Sequence, residues 1–99
     1  MLIYCAHKYG GNKKNKARVE TFVKNLQKND LENTYISPIH TFGHLYECLS
    51  YEEGLNLCLS LLDKCDALCV LSEESEGVTR EIEFAVQNRK PIFFAGGCM

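Results

Sequence analysis

The segment DALCVLS, residues 66–72, is a continuous apolar run bounded by an acid and a serine. A strand with no polar side suits a parallel sheet covered on both faces by helices. The rest of the chain supplies the other layers. LIYCA (2–6), TYISPI (34–39) and PIFFA (91–95) are short runs rich in strand formers, and Pro38 marks the end of the second. Between the first two, ARVETFVKNLQK places Val19, Phe22, Val23 and Leu26 at helical spacing, with Asn29 and Asp30 closing the helix. Ser50 followed by Glu53 is a capping-box signature for YEEGLNLCLSLLDKC, whose buried face is Leu55, Leu59 and Leu62. HTFGHLYECLS has no period and reads as a long loop. Ile82, Ala85 and Val86 form the stripe of a last helix.

The resulting β-α-β-α-β-α-β string predicts one α/β domain over residues 1–99, with right-handed crossovers and helices on both sides of a four- or five-stranded parallel sheet. Ligands in such sheets bind beyond the carboxyl ends of the strands, near the switch point. That rule gathers segments 7–12, 38–46, 72–81 and 95–99 around one cleft.

Composition narrows what the cleft holds. A net charge of −2 and a pI near 5.9 argue against nucleic-acid backbone or an anionic membrane as the main partner. No run approaches the roughly 20 apolar residues that span a bilayer. MLIYCAH reads as a strand and not as a signal peptide, so the cytoplasm of the producer or its host is the expected location. The six cysteines read as reduced packing residues, since Cys5, Cys65 and Cys69 fall in or beside buried elements and no CxxC occurs. Cys98 is expected to be an exposed thiol. Without HExxH or CxxC beside His7, His40 and His44, no metal site is expected. The lack of GxxxxGK[ST] and GxGxxG leaves no cofactor motif.

Within the cleft, SEGVTREIEFA (75–85) raises the sharpest question. Glu81 has Phe84 and Ala85 at i+3 and i+4, so no cation of its own helix accompanies it. Placed in the first helical turn, it either compensates the helix dipole or serves as a carboxylate nucleophile aimed at a sugar carbon. Ser75 and Gly77 either cap the helix or offer donors to a phosphate. Gly10 and Gly11 are a plain turn or a close approach to ligand. His7 falls in a cleft loop, and His40 at a strand end is a candidate ligand contact, acid or base. Tyr4 is core, with a hydroxyl able to orient a carboxylate.

With IYCAHKYGG, CDALCVL, SEGVTREIEFA and KPI in that order, the chain resembles the nucleoside 2-deoxyribosyltransferase-like superfamily over nearly its whole length. SPIHTFGHLY looks most like its small, often virus-encoded members. The resemblance implies a flavodoxin-like three-layer sandwich and a nucleoside or nucleotide ligand. It also implies attack by Glu81, in the Gly77–Glu81 run, on the anomeric carbon. Tyr4 takes the place of the tyrosine that holds the nucleophile. Ser75, Gly10 and Gly11 match phosphate-binding positions of the monophosphate N-hydrolases. Where the family carries a second acid, eight residues before Asp66, this chain has Cys58; Asp63, Glu53 or His40 are the alternatives. The sequence stops at Met99 without the transferases' C-terminal extension, so hydrolysis is expected ahead of the base exchange of a deoxyribosyltransferase. The expected function is nucleotide binding by a member of this superfamily, with hydrolysis of the N-glycosidic bond of a (deoxy)nucleoside monophosphate through Glu81 as its enzymatic form. The alternative is a non-catalytic binder, such as a viral protein sequestering a nucleotide immune signal. A homodimer or larger homo-oligomer is expected, with LYECLSYEEGL as apolar contact surface.

Overall fold

A computed structural model describes residues 1–95. Four strands, β1 (Leu2–Ala6), β2 (Thr34–Ile36), β3 (Ala67–Val70) and β4 (Ile92–Phe94), form one sheet in the order β2-β1-β3-β4, with every pairing parallel. The helices are α1 (Lys13–Asn29), α2 (Pro38–Phe42), α3 (Tyr51–Lys64) and α4 (Glu76–Gln87), with a 3-10 turn at Gly43–Leu45. This is a flavodoxin-like three-layer sandwich, and β1 and β3 flank its switch point.

Alternation along β1 divides the core. Tyr4 and Ala6 face one layer, with Leu62 and Cys65 at α3 and Val78 and Ala85 on α4. Ile3 and Cys5 face the other, against Val19 of α1 and Ile39 of α2. Cys5, Cys65 and Cys69 are buried and unbridged, as expected of packing residues. Cys98 lies outside the described residues. No described helix is long and apolar enough to cross a membrane.

Two elements differ from their sequence reading. β2 stops at Ile36, and Pro38 opens a helix that Ser37 caps by accepting from the His40 N–H. Proline is at home there, because the first helical N–H has no intrahelical acceptor to lose. The expected loop at 40–50 is therefore partly helical. Helix α4 is also rotated from its expected stripe. Val86 is exposed, and the face that meets the sheet is Val78, Glu81 and Ala85. A carboxylate occupies the middle of a buried stripe.

Candidate functional site

Glu81 is 6% exposed and Tyr4 is fully buried, yet they come from elements 77 residues apart. The Tyr4 hydroxyl donates a short hydrogen bond to Glu81 Oε2. Helix α4 starts at Glu76, so Glu81 lies in the second turn and not the first. The dipole reading fails on that count, since the effect fades after the first turn. It fails again on charge state. Burial pushes the Glu81 carboxyl up to about 7, and the Tyr4 hydrogen bond only partly counters it. Burial and then the Glu81 charge push the Tyr4 hydroxyl well above its ordinary range, so tyrosine stays a donor.

Cys58, the eighth residue of α3, packs against the same cluster. Its thiol is pushed up to about 11 by burial first and the Glu81 charge second, with Tyr4 opposing. Neutral and weakly acidic, it is no substitute for a carboxylic acid near pH 7.

Glu81 and Cys58 line a cavity of about 660 Å³. The cavity opens beyond the carboxyl ends of β1 and β3, walled by α2, the 3-10 turn, the N-terminal half of α3 and the start of α4. Ser75 and Gly77 line it; Ser75 Oγ accepts from the Val78 N–H at 3.3 Å and so caps α4. His7 and Gly10 line it too. His7 Nδ1 lies 2.6 Å from the Lys8 carbonyl oxygen, which can only accept. The proton is therefore on Nδ1, and Nε2 is a bare acceptor, buried without a partner among the described residues. Burial lowers the His7 pKa, consistent with a neutral ring.

Two of the expected contacts lie elsewhere. His40 does not line the cavity; its Nδ1 meets Ser37 Oγ at 2.8 Å and its Nε2 faces Glu20 of α1 at 3.4 Å. The helical turn at Pro38–Phe42 redirects it. Gly11 is also off the lining, with φ +73. A Cβ there would stand 2.8 Å from the Tyr46 ring, so Gly11 seats that tyrosine. Asp63 and Glu53 do not line the cavity either, and the Glu53 carboxylate is committed to the Ser50 N–H at 2.8 Å.

The sequence reading overlooked the aromatic wall of Tyr9, Phe42, Tyr46 and Tyr51, and Asn15 of α1. Tyr9 and Tyr46 meet edge-to-face at 5.4 Å, joining the β1–α1 loop to the 3-10 turn. The signal was present in YGG and HLYECLSY, where the second stretch serves as cavity wall. Gly11→Ala is expected to cost about 1–2 kcal/mol through its left-handed backbone alone, and to displace Tyr46. Urea denaturation measures the loss. An unchanged midpoint would mean that position 11 neither requires a left-handed backbone nor supports Tyr46.

Two further contacts fix the cleft floor. The Lys8 N–H donates to Ser72 Oγ at 3.1 Å, and Lys8 Nζ pairs with Glu73. The loops following β1 and β3 are thus joined at the switch point. Among the described residues, no group of three or more His, Cys, Asp or Glu is placed to hold a metal.

A family model described as Domain of unknown function (DUF4406) matches residues 1–94. The chain belongs to this family. No curated protein matches the DUF4406 chain.

Proposed function

We propose that this DUF4406 protein binds a nucleoside monophosphate-class ligand in the cavity and hydrolyses its N-glycosidic bond, with Glu81 as nucleophile. One observation carries the reading: a buried carboxylate, held by a tyrosine hydroxyl and, among the described residues, by no cation, on the wall of a large apolar cavity at the switch point. Burying such a group unpaired is costly, and a structural role would be served better by an apolar residue. The Gly77–Glu81 run and the position of Tyr4, which underlie the deoxyribosyltransferase-like resemblance, support the same assignment.

In the proposed reaction an ionised Glu81 oxygen bonds to the anomeric carbon as the carbon–nitrogen bond breaks. The electron pair leaves with the base, which takes a proton from water. The hydroxide left behind takes a proton from a second water as that water attacks the same carbon, the ester bond to Glu81 breaks, and the carboxylate is regenerated. Tyr4 holds the carboxylate in line and favours its charged form.

Cys58 favours a second reading. A thiol raised to about 11 offers neither a general acid nor a base near pH 7, so the cleft can retain a nucleotide without turning it over.

Base release decides between them. Deoxynucleoside monophosphates and ribonucleotides are incubated with wild type and with Glu81→Gln, and free base is followed by chromatography. Release by wild type alone supports the enzyme. Calorimetric binding without release by either supports the binder. Neither release nor binding overturns the nucleotide reading.

A further inference from the structure

The cavity has two unlike sides. One is largely polar, with His7, Lys8 and Asn15 after β1 and Ser75, Glu76 and Glu81 at the start of α4. The other runs from Pro38 to Cys58, through α2, the 3-10 turn and the first half of α3. Along it no lining residue is an Asp, Glu, Asn, Gln, Lys or Arg. The stretch does contain Glu47, Glu52, Glu53 and Asn56, and all four are off the lining. Phe42, Tyr46 and Tyr51 line it instead, and Tyr9 joins them from the β1–α1 loop.

These rings are not core packing. Tyr46 and Tyr51 are 51% and 52% exposed, whereas the core tyrosine, Tyr4, is fully buried. Glycines make room for three of them. Tyr46 rests on Gly11, and a Cβ added at Gly43 or Gly77 would stand 3.4 Å from the hydroxyl of Tyr9 or Tyr51 respectively. Gly43 and Gly77 line the cavity themselves, so bare backbone keeps the aromatic side open. Aromatic side chains hold a planar heterocycle by its face, and every nucleobase has such a face. Telling bases apart takes fixed donor and acceptor pairs, such as an amide, a carboxylate or a guanidinium. A phenol hydroxyl turns to donate or accept, so Tyr46 and Tyr51 suit either kind of base edge.

We infer that the aromatic side is the base subsite, and that it takes purines and pyrimidines alike by stacking, without reading their edges. The inference rests on the nucleotide reading of the cleft and supplies its orientation and selectivity. The base lies against Tyr46 and Tyr51, while sugar and phosphate meet the polar side that carries Glu81 and Ser75. The ligand is thus a class of nucleotides and not a single one.

Calorimetry tests it with the four deoxynucleoside and the four ribonucleoside monophosphates, each series set against its own abasic sugar phosphate. Glu81→Gln is used so that the ligand survives. Within a series that binds, each nucleotide is expected to bind roughly tenfold or more tightly than the abasic compound. The four bases should fall within about tenfold of one another, purines ahead through their larger face. Tyr46→Leu and Tyr51→Leu, made in that background, keep apolar bulk and remove the aromatic face. Each should weaken all four nucleotides by a similar factor, about fivefold, and leave the abasic compound unchanged. The chain has no tryptophan, so quenching of tyrosine fluorescence by the bound base is a second readout. One base preferred by more than about a hundredfold, or nucleotide affinity unmoved in both leucine variants, overturns the inference and leaves the nucleotide reading standing. So does a leucine variant that loses self-association in sedimentation while keeping its affinity, since the rim then belongs to a second copy of the chain. An abasic compound that binds as tightly as its nucleotides overturns the base subsite and reduces the ligand to a sugar phosphate. Binding by none of them overturns both readings.

Discussion

Replacing Glu81 by glutamine should make the protein more stable above neutral pH, not less. The carboxyl is raised from 4.5 to about 7 in the folded state. Between those values the folded chain holds a proton that the unfolded chain has released, so stability falls as pH rises through this window. It is fully present below about 4.5, and the loss is complete once the pH exceeds the folded value. The total is on the order of 3 kcal/mol. Glutamine carries no charge to bury and keeps an oxygen for the Tyr4 hydroxyl. Its unpartnered amide offsets about 1 kcal/mol of the gain. A net gain of about 2 kcal/mol at pH 8 corresponds to roughly 10 °C in a domain of this size, and little or no gain should remain at pH 4. Thermal and urea denaturation of both proteins at pH 4, 6 and 8 measures the effect. A wild type with flat stability over that range, or a variant no more stable at pH 8, would remove the argument that the fold tolerates Glu81 for the sake of chemistry.

Tyr4→Phe acts in the opposite sense on the same group. The tyrosine hydroxyl is the donor that lowers the Glu81 pKa against burial. Without it the carboxyl moves above 7. The proposed nucleophile works deprotonated, so base release should rise with pH through this pKa and level off above it. In wild type kcat/KM should bend near pH 7; in Tyr4→Phe the bend should lie at least one unit higher. At pH 7 the variant should therefore lose about fivefold or more, and recover most of that loss at pH 9. A nucleotide's own phosphate titrates near pH 6 by analogy with phosphorylated side chains (pKa about 6). The difference between the two proteins, not either bend alone, is the diagnostic quantity. An unmoved bend with a raised KM would reduce Tyr4 to a packing residue.

These two variants probe the contact that reading along the chain could not reach. Strands, helix periodicity and the Ser50–Glu53 capping box were legible because each depends on neighbours within a few residues. The apolar pattern of 66–72 even disclosed that β3 is covered on both sides. Glu81 was noticed for its lack of a cation, but its burial depends on Tyr4, 77 residues away. Counting apolar side chains therefore rotated α4 toward Val86. Ser37–Pro38 failed for a different reason: the pair ends a strand and begins a helix with the same residues. That ambiguity carried His40 into the cleft on paper, while the turn of α2 directs it to Glu20. Tyr46 and Gly11 illustrate the reverse case, where a weak Gly-Gly signal had a steric cause visible only once a distant ring was seated beside it.

The strand order has a consequence for synthesis. β1 leaves the ribosome before the other three strands of this sheet, yet it sits inside the sheet with β2 on one edge and β3 on the other. Its second edge stays open until residues 67–70 have been made, and the Tyr4 hydroxyl waits longer still, for Glu81. Every strand pairing here is parallel and closes only after a helix-containing crossover, which is a slow route to the native state. A nascent chain paused before β3 therefore displays an unpaired, apolar LIYCA edge, the kind of surface that chaperones shield and that otherwise joins neighbouring chains.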